Sequence, residues 1–163
     1  MIPLFAVVVL FTPACAAKRI VTSQDELTKV TVSRSDDPLP DLLKETVLHF
    51  DYDESTLSGP DMMRLQKIAK ILREQPWSSI RISGHADERG TEEYNLALGQ
   101  RRADAARAYL VHLGVRDDQV DTLSFGEEVP LIPSTTEEAY AENRRDEFGP
   151  QPLEVLGMAT ELK

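Results

Sequence analysis

Within five consecutive positions the chain places His85, Asp87, Glu88 and Arg89, and Arg101 and Arg102 follow on the next segment, so a proton carrier, two carboxylates and several fixed cations share one short stretch. His and carboxylates are common metal ligands and general acids and bases. Nothing else in the chain completes either use. His49 and His112 have no ligand spacing to His85, the single cysteine offers no Cys/His zinc pattern, and no serine flanked by glycines supplies a nucleophile. No catalytic residue, metal or cofactor is therefore expected. The acidic run "DYDESTLSGPDM" starts like a calcium loop with Asp51, Asp53 and Ser55, but Thr56 stands where that loop needs glycine and Met62 where it needs a bidentate glutamate.

Asp87 and Arg102 lie fifteen residues apart, one in a loop leaving a strand and one on the helix that the loop feeds, so a fold can bring their tips to one rim. Two outcomes are open. Held apart, an acid and an arginine form a two-point receptor for a zwitterion, the carboxylate taking an ammonium and the guanidinium fork taking a carboxylate. Paired with each other, they are a surface salt bridge worth about 0–1 kcal/mol.

The elements that must position them follow from periodicity. "ETVLHFDY" is β-prone and predicts a strand at 45–52. "SGPDMMRLQKIAKILREQP" has start signals at Ser58 and Pro60, a stop at Pro76, and Met62, Leu65, Ile68, Ala69 and Leu72 at helical spacing. "SSIRISGHA" alternates as a half-buried strand ending at Gly84. A long helix follows over 92–113, with Ala103, Ala106, Tyr109, Leu110 and Leu113 on one stripe and Gly114 as its stop. "QVDTLSFG" is a third strand, "TTEEAYAEN" a short helix opened by a Thr/Glu pair resembling a capping box, and "RRDEF" a fourth strand. The order βαβαβ(α)β predicts an α/β (α+β) two-layer sandwich, a mixed four-stranded sheet with helices on one face.

The chain has 163 residues, room for one domain plus extensions, and a formal net charge of −10, which argues against a nucleic-acid partner because phosphate binding needs a basic face. Residues 16–43 mix charged and polar residues with two prolines and little sustained period, as a flexible tether does. Before them, the apolar run Ile2 to Phe11 is too short to span a bilayer and suits a signal-peptide core. Ala14, Cys15, Ala16 and Ala17 make that segment resemble a bacterial lipoprotein signal, with Cys15 as the lipidated first residue of the mature chain. Thr12 stands where such signals usually carry leucine, and no basic residue precedes the run. An ordinary cleaved signal and an uncleaved anchor stay open as alternatives. The expected organisation is a signal at 1–14, a lipidated tether at 15–43, a folded domain at 44–149 and a tail at 150–163.

"GHADERGTEEYNLALGQRRADAARAYL", preceded by "VLHFDYDESTL" and followed by "LSFGEEVP" and "AYAENRRDEF", resembles the OmpA-like peptidoglycan-binding domain, most closely that of the peptidoglycan-associated lipoproteins of Gram-negative outer membranes. The resemblance runs from about 45 to 148. It implies non-covalent, non-enzymatic binding of the peptidoglycan stem peptide at meso-diaminopimelate, with Asp87 and Arg102 holding its amine and carboxylate. By the same alignment Asp53 lies in the pocket flanked by Phe50 and Tyr52, Arg89 and Thr91 line the loop, and Asn95 and Leu98 sit on the first turns of the helix. Arg145 either joins them or pairs with a surface acid near the last strand. The resemblance further implies a lipid anchor in the periplasmic face of the outer membrane and the Tol system as partner. A soluble periplasmic wall binder, or less readily a wall hydrolase, would share the pocket. Replacing Asp87 or Arg102 with alanine is expected from the sequence nearly to abolish binding and to leave the fold intact.

Overall fold

The structure is a computed structural model that describes residues 37–151. The proposed signal, Cys15, most of the tether and residues 152–163 of the tail lie outside the described residues.

Four strands, β1 (Val47–His49), β2 (Ile80–His85), β3 (Val120–Gly126) and β4 (Arg145–Pro150), form one sheet in the order β1-β4-β2-β3. β2 and β3 are parallel, and β4 runs antiparallel to both β1 and β2. The sheet is mixed, as expected. The helices are α1 (Leu39–Glu45), α2 (Gly59–Glu74), α3 (Glu92–His112) and α4 (Glu137–Asn143). Leu39 and Leu43 of α1, Leu65, Ile68 and Leu72 of α2, and Ala103, Ala106 and Leu110 of α3 share one core with Leu48, Ile80, Ile82 and Phe148 of the sheet. Ser58, Thr91 and Thr136 cap α2, α3 and α4 by accepting a main-chain N–H three residues on. At α4 the third position is Ala139, so the threonine half of the expected capping box stands alone.

Two boundaries differ from expectation. The predicted strand at 45–52 pairs only over Val47–His49. β1 is an edge strand that meets β4 alone, and beyond it the chain turns, with Glu54 N–H donating to the Asp51 carbonyl and Asp53 in the left-handed region at φ 58°. The segment read as tether through residue 43 ends instead in α1, whose Leu39 and Leu43 are buried. The folded unit reaches back to Asp37, whose carboxylate accepts from Leu39 N–H and from Gln75 Nε2, both at 3.0 Å.

α3 approaches β2 through two facing glycines. A Cβ on Gly84 would fall 2.0 Å from the Gly99 carbonyl oxygen, and one on Gly99 would fall 2.4 Å from Ser124 Oγ. The Gly99 main chain cannot yield that much to a side chain at position 84. Gly84→Ala is expected to cost about 2–3 kcal/mol or more of unfolding free energy, read by urea denaturation. A loss within a few tenths of a kcal/mol would show that the helix slides freely on the sheet.

Asp146 occupies the same helix-facing side of the sheet, opposite Leu48 and Gly84 in the register. It is fully buried, and neither carboxylate oxygen has a hydrogen-bond partner. Burial pushes its carboxyl well above the usual range, against a smaller opposing pull from the charge of Arg102. The folded state therefore keeps the proton that the unfolded chain releases above about pH 4. Bound protons in the folded state exceed those in the unfolded state there, so this group makes stability fall as pH rises from that value toward its raised folded one. Asp146→Val is expected to remove that slope and to raise stability at pH 7 by about 1–3 kcal/mol. A less stable valine variant would contradict the assignment.

Candidate functional site

At one end of the sheet the β1–α2 loop, the β2–α3 loop, the first turns of α3 and the residue before β4 surround a narrow cleft lined by Tyr52, Asp53, Asp87, Arg89, Tyr94, Asn95, Leu98, Arg102 and Arg144.

Arg102 is its floor. It lies on the buried stripe of α3 with Asn95, Leu98, Gly99 and Ala106, an unusual place for a guanidinium. Nε donates to the Glu54 carbonyl at 2.8 Å, Nη1 to His85 at 2.9 Å and Nη2 to Asp51 at 3.1 Å, and the group lies over the Phe50 ring at 5.0 Å. It thus ties the two loops together with main-chain acceptors. Burial lowers its pKa to about 10, which still leaves a cation at neutral pH. Three of the five N–H donors of a guanidinium are used this way.

Asp87, 4% exposed, is held from two sides. Arg89 gives its main-chain N–H and Nε to Oδ1 at 3.1 and 3.2 Å and Nη2 to Oδ2 at 2.7 Å, and Arg144 Nη1 reaches Oδ2 at 3.1 Å. Burial acts to raise the carboxyl pKa, and the hydrogen bonds from Arg89 and Arg144 outweigh it and hold the group below the usual range. No ion pair between Asp87 and Arg102 occurs among the described residues. The acid and the arginine line one cleft without meeting.

Of the other residues expected here, Asp53 accepts from the Tyr94 hydroxyl, which raises the tyrosine's pKa. Tyr52 lies under the Arg89 guanidinium at 4.1 Å. Leu98 gives an apolar wall, and Asn95 Nδ2 fixes the loop through the Arg89 carbonyl at 3.2 Å and the Glu127 carboxylate. Two of the expected residues are not part of the cleft lining. Thr91 caps α3 and does not line it, and Phe50 is buried beneath Arg102.

Arg145 is not brought to the cleft. Its Nε lies 2.6 Å from Glu147 Oε1, two residues along the strand. The period of two sends it to the face opposite Asp146 and Phe148, so the arginine before it, Arg144, takes the cleft side. Arg144 donates Nε to the Phe50 carbonyl at 3.0 Å and Nη1 to Glu137 at 3.2 Å as well as to Asp87. Arg144 and Tyr94 are the cleft residues that sequence reasoning passed over. For Arg144 a signal existed: applying strand alternation to "NRRDEF" from the apolar Phe148 backwards places residues 146 and 144 on the core side.

His85 contributes its main chain. The imidazole is buried, stacked on Phe125 at 5.4 Å, and burial followed by the charge of Arg145 lowers its pKa to about 4. No group of three His, Cys, Asp or Glu side chains among the described residues is arranged to hold a metal.

Arg89, Arg102 and Arg144 against Asp53 and Asp87 give the cleft three cations and two carboxylates, a formal +1 in a chain of net charge −10. Both signs of charge thus line one cleft of an α+β domain, with Asp87 paired to Arg89 and Arg144 and apart from Arg102. The sequence matches the OmpA family over residues 49–144, more than half of the chain, and the chain belongs to that family.

Similar proteins include the peptidoglycan-associated lipoprotein of Pasteurella multocida, 44% identical over 98 residues, which are 60% of this chain and 65% of that one. That of Brucella melitensis is 45% identical over 98 residues, 60% of this chain and 58% of the relative. The chain thus spans roughly three fifths of the length of these curated relatives. The crystal structure of the peptidoglycan-associated lipoprotein from Burkholderia pseudomallei superimposes with a TM-score of 0.66 at 40% identity, covering 71% of this chain and 98% of that one.

Proposed function

We propose that the protein binds peptidoglycan non-covalently at the zwitterionic end of meso-diaminopimelate and, through a lipid on Cys15, tethers the outer membrane to the cell wall. The observation that carries this reading is the cleft that collects Asp53 and Asp87 with Arg89, Arg102 and Arg144. A side-chain end bearing one ammonium and one carboxylate matches it: the ammonium goes to Asp87, with Asp53 beside it, and the carboxylate to the free donors of Arg102 and to Arg144. Arg102 is preorganised for this by its three carbonyl contacts, so little side-chain freedom is lost on binding. No bond in the ligand is made or broken.

The relatives named above bear the words peptidoglycan-associated and lipoprotein, which supports both halves of the reading. The anchor itself rests on the sequence around Cys15, and the Tol system as partner rests on family resemblance alone. Co-sedimentation of the full chain with purified peptidoglycan tests the binding half, and a protein that stays in the supernatant refutes it. Metabolic labelling with a radioactive fatty acid tests the anchor. Label is expected on the wild type and not on Cys15→Ala, and an unlabelled wild type would refute the lipid anchor.

A further inference from the structure

The carboxylate assigned above to the ligand's ammonium has no unengaged oxygen: Arg89 grips both oxygens of Asp87 and Arg144 shares one of them. The two arginines are held differently. Arg144 is 8% exposed and fixed from below by the Phe50 carbonyl. Arg89 is 32% exposed, and its remaining contacts are at the rim: the faces of Tyr52 and Tyr140 at 4.1 and 4.5 Å, and Glu137 at 3.1 Å. Its main-chain N–H also donates to Asp87, so the backbone can keep its bond while the guanidinium leaves.

We infer that the Arg89 guanidinium is a built-in stand-in for the ligand's ammonium, a specificity-determining residue that the ligand must displace from Asp87 in order to bind. This rests on the binding mode proposed above. An incoming cation replaces the ion pair that is lost, whereas a neutral amide leaves Asp87 short of a partner on the side Arg89 has vacated. An acylated amine gains nothing by displacing Arg89, so the competition weakens the binding of a free amine alone. When the guanidinium leaves Asp87 it is released toward Glu137, away from the stack that Tyr52 and Tyr140 make with its paired position. Until then, binding is weakened by the small fraction of molecules in which Asp87 is open.

Calorimetry on the full chain tests this with two probes: the tripeptide L-Ala-γ-D-Glu-meso-diaminopimelate, and the same peptide with the free side-chain amine acetylated. If the open form is about 10% populated or less, Arg89→Ala is expected to bind the free-amine peptide about tenfold tighter or more than the wild type, and to widen its preference over the acetylated peptide. Tyr140→Ala, which loosens the stack but keeps Arg89 and does not line the cleft, is expected to shift binding the same way by a smaller factor. Because loss of loop order would weaken both peptides together, the ratio between them separates competition from damage. Weaker or unchanged binding of the free-amine peptide by both variants would overturn the inference and mark Arg89 as a ligand contact or a loop brace. A wild type that binds neither peptide would instead refute the binding mode on which it rests.

Discussion

Arg102→Ala is expected to lose about 3–5 kcal/mol of folding stability as well as all measurable peptidoglycan binding. The sequence alone suggested that such a variant would stay folded. The structure gives the reason it should not: one guanidinium bridges the carbonyls of Asp51, Glu54 and His85, and its removal takes a donor from each of the three and leaves a buried gap. Against a total of about 5–15 kcal/mol for a domain, the loss is large enough to unfold part of the population. Arg102→Lys keeps the charge but cannot span three carbonyls, and should fall between the two. Urea denaturation followed by circular dichroism checks the order. An alanine variant as stable as the wild type would mean that the β1–α2 and β2–α3 loops do not depend on this tie.

Asp87→Ala is expected to weaken binding by about 2–5 kcal/mol, roughly thirtyfold to a few thousandfold. The ligand loses its anionic partner, and Arg144, 8% exposed, is left with only the exposed rim acid Glu137 and the Phe50 carbonyl. The pH dependence follows from the lowered pKa of Asp87. A depressed carboxyl adds stability that is fully present above its unfolded value and is lost as pH falls through its folded one, so binding should persist through the ordinary aspartate range and fail only below it. Co-sedimentation across pH, with the wild type and Asp87→Ala in parallel, measures both effects. Wild-type binding that fails at or above the ordinary aspartate value would assign the titration to another group.

How much of this was legible in the sequence depended on which forces decide each feature. α2, α3 and β2 were readable because their apolar periods and caps agree, so local preference and burial point the same way. α1 was not. "LPDLLKE" is short and follows a run of charges and a proline, and it is helical because Leu39 and Leu43 find the core, a tertiary cause. Asp87 and Arg102 were legible as residues of one cleft from their positions at a strand exit and on the following helix. Their partners were not, because Arg102 bonds to loop carbonyls and Asp87 to Arg89 and Arg144, and loop conformation leaves no periodic trace. Of the two readings left open for Arg145, pairing with an acid of the last strand is the one found, and Arg144, one residue earlier and so on the other face, lines the cleft instead. Asp146 set residue type against period: a charged side chain reads as surface, whereas alternation from Phe148 puts it on the core side, and the register agrees with the period.

The central claim is that the cleft recognises an ammonium and a carboxylate together. The most direct measurement compares co-sedimentation of the full chain with meso-diaminopimelate-type and lysine-type peptidoglycan, since lysine presents the amine without the carboxylate that Arg102 and Arg144 are arranged to hold. Strong binding to the first and little to the second is expected. Equal binding to both would contradict the two-point site.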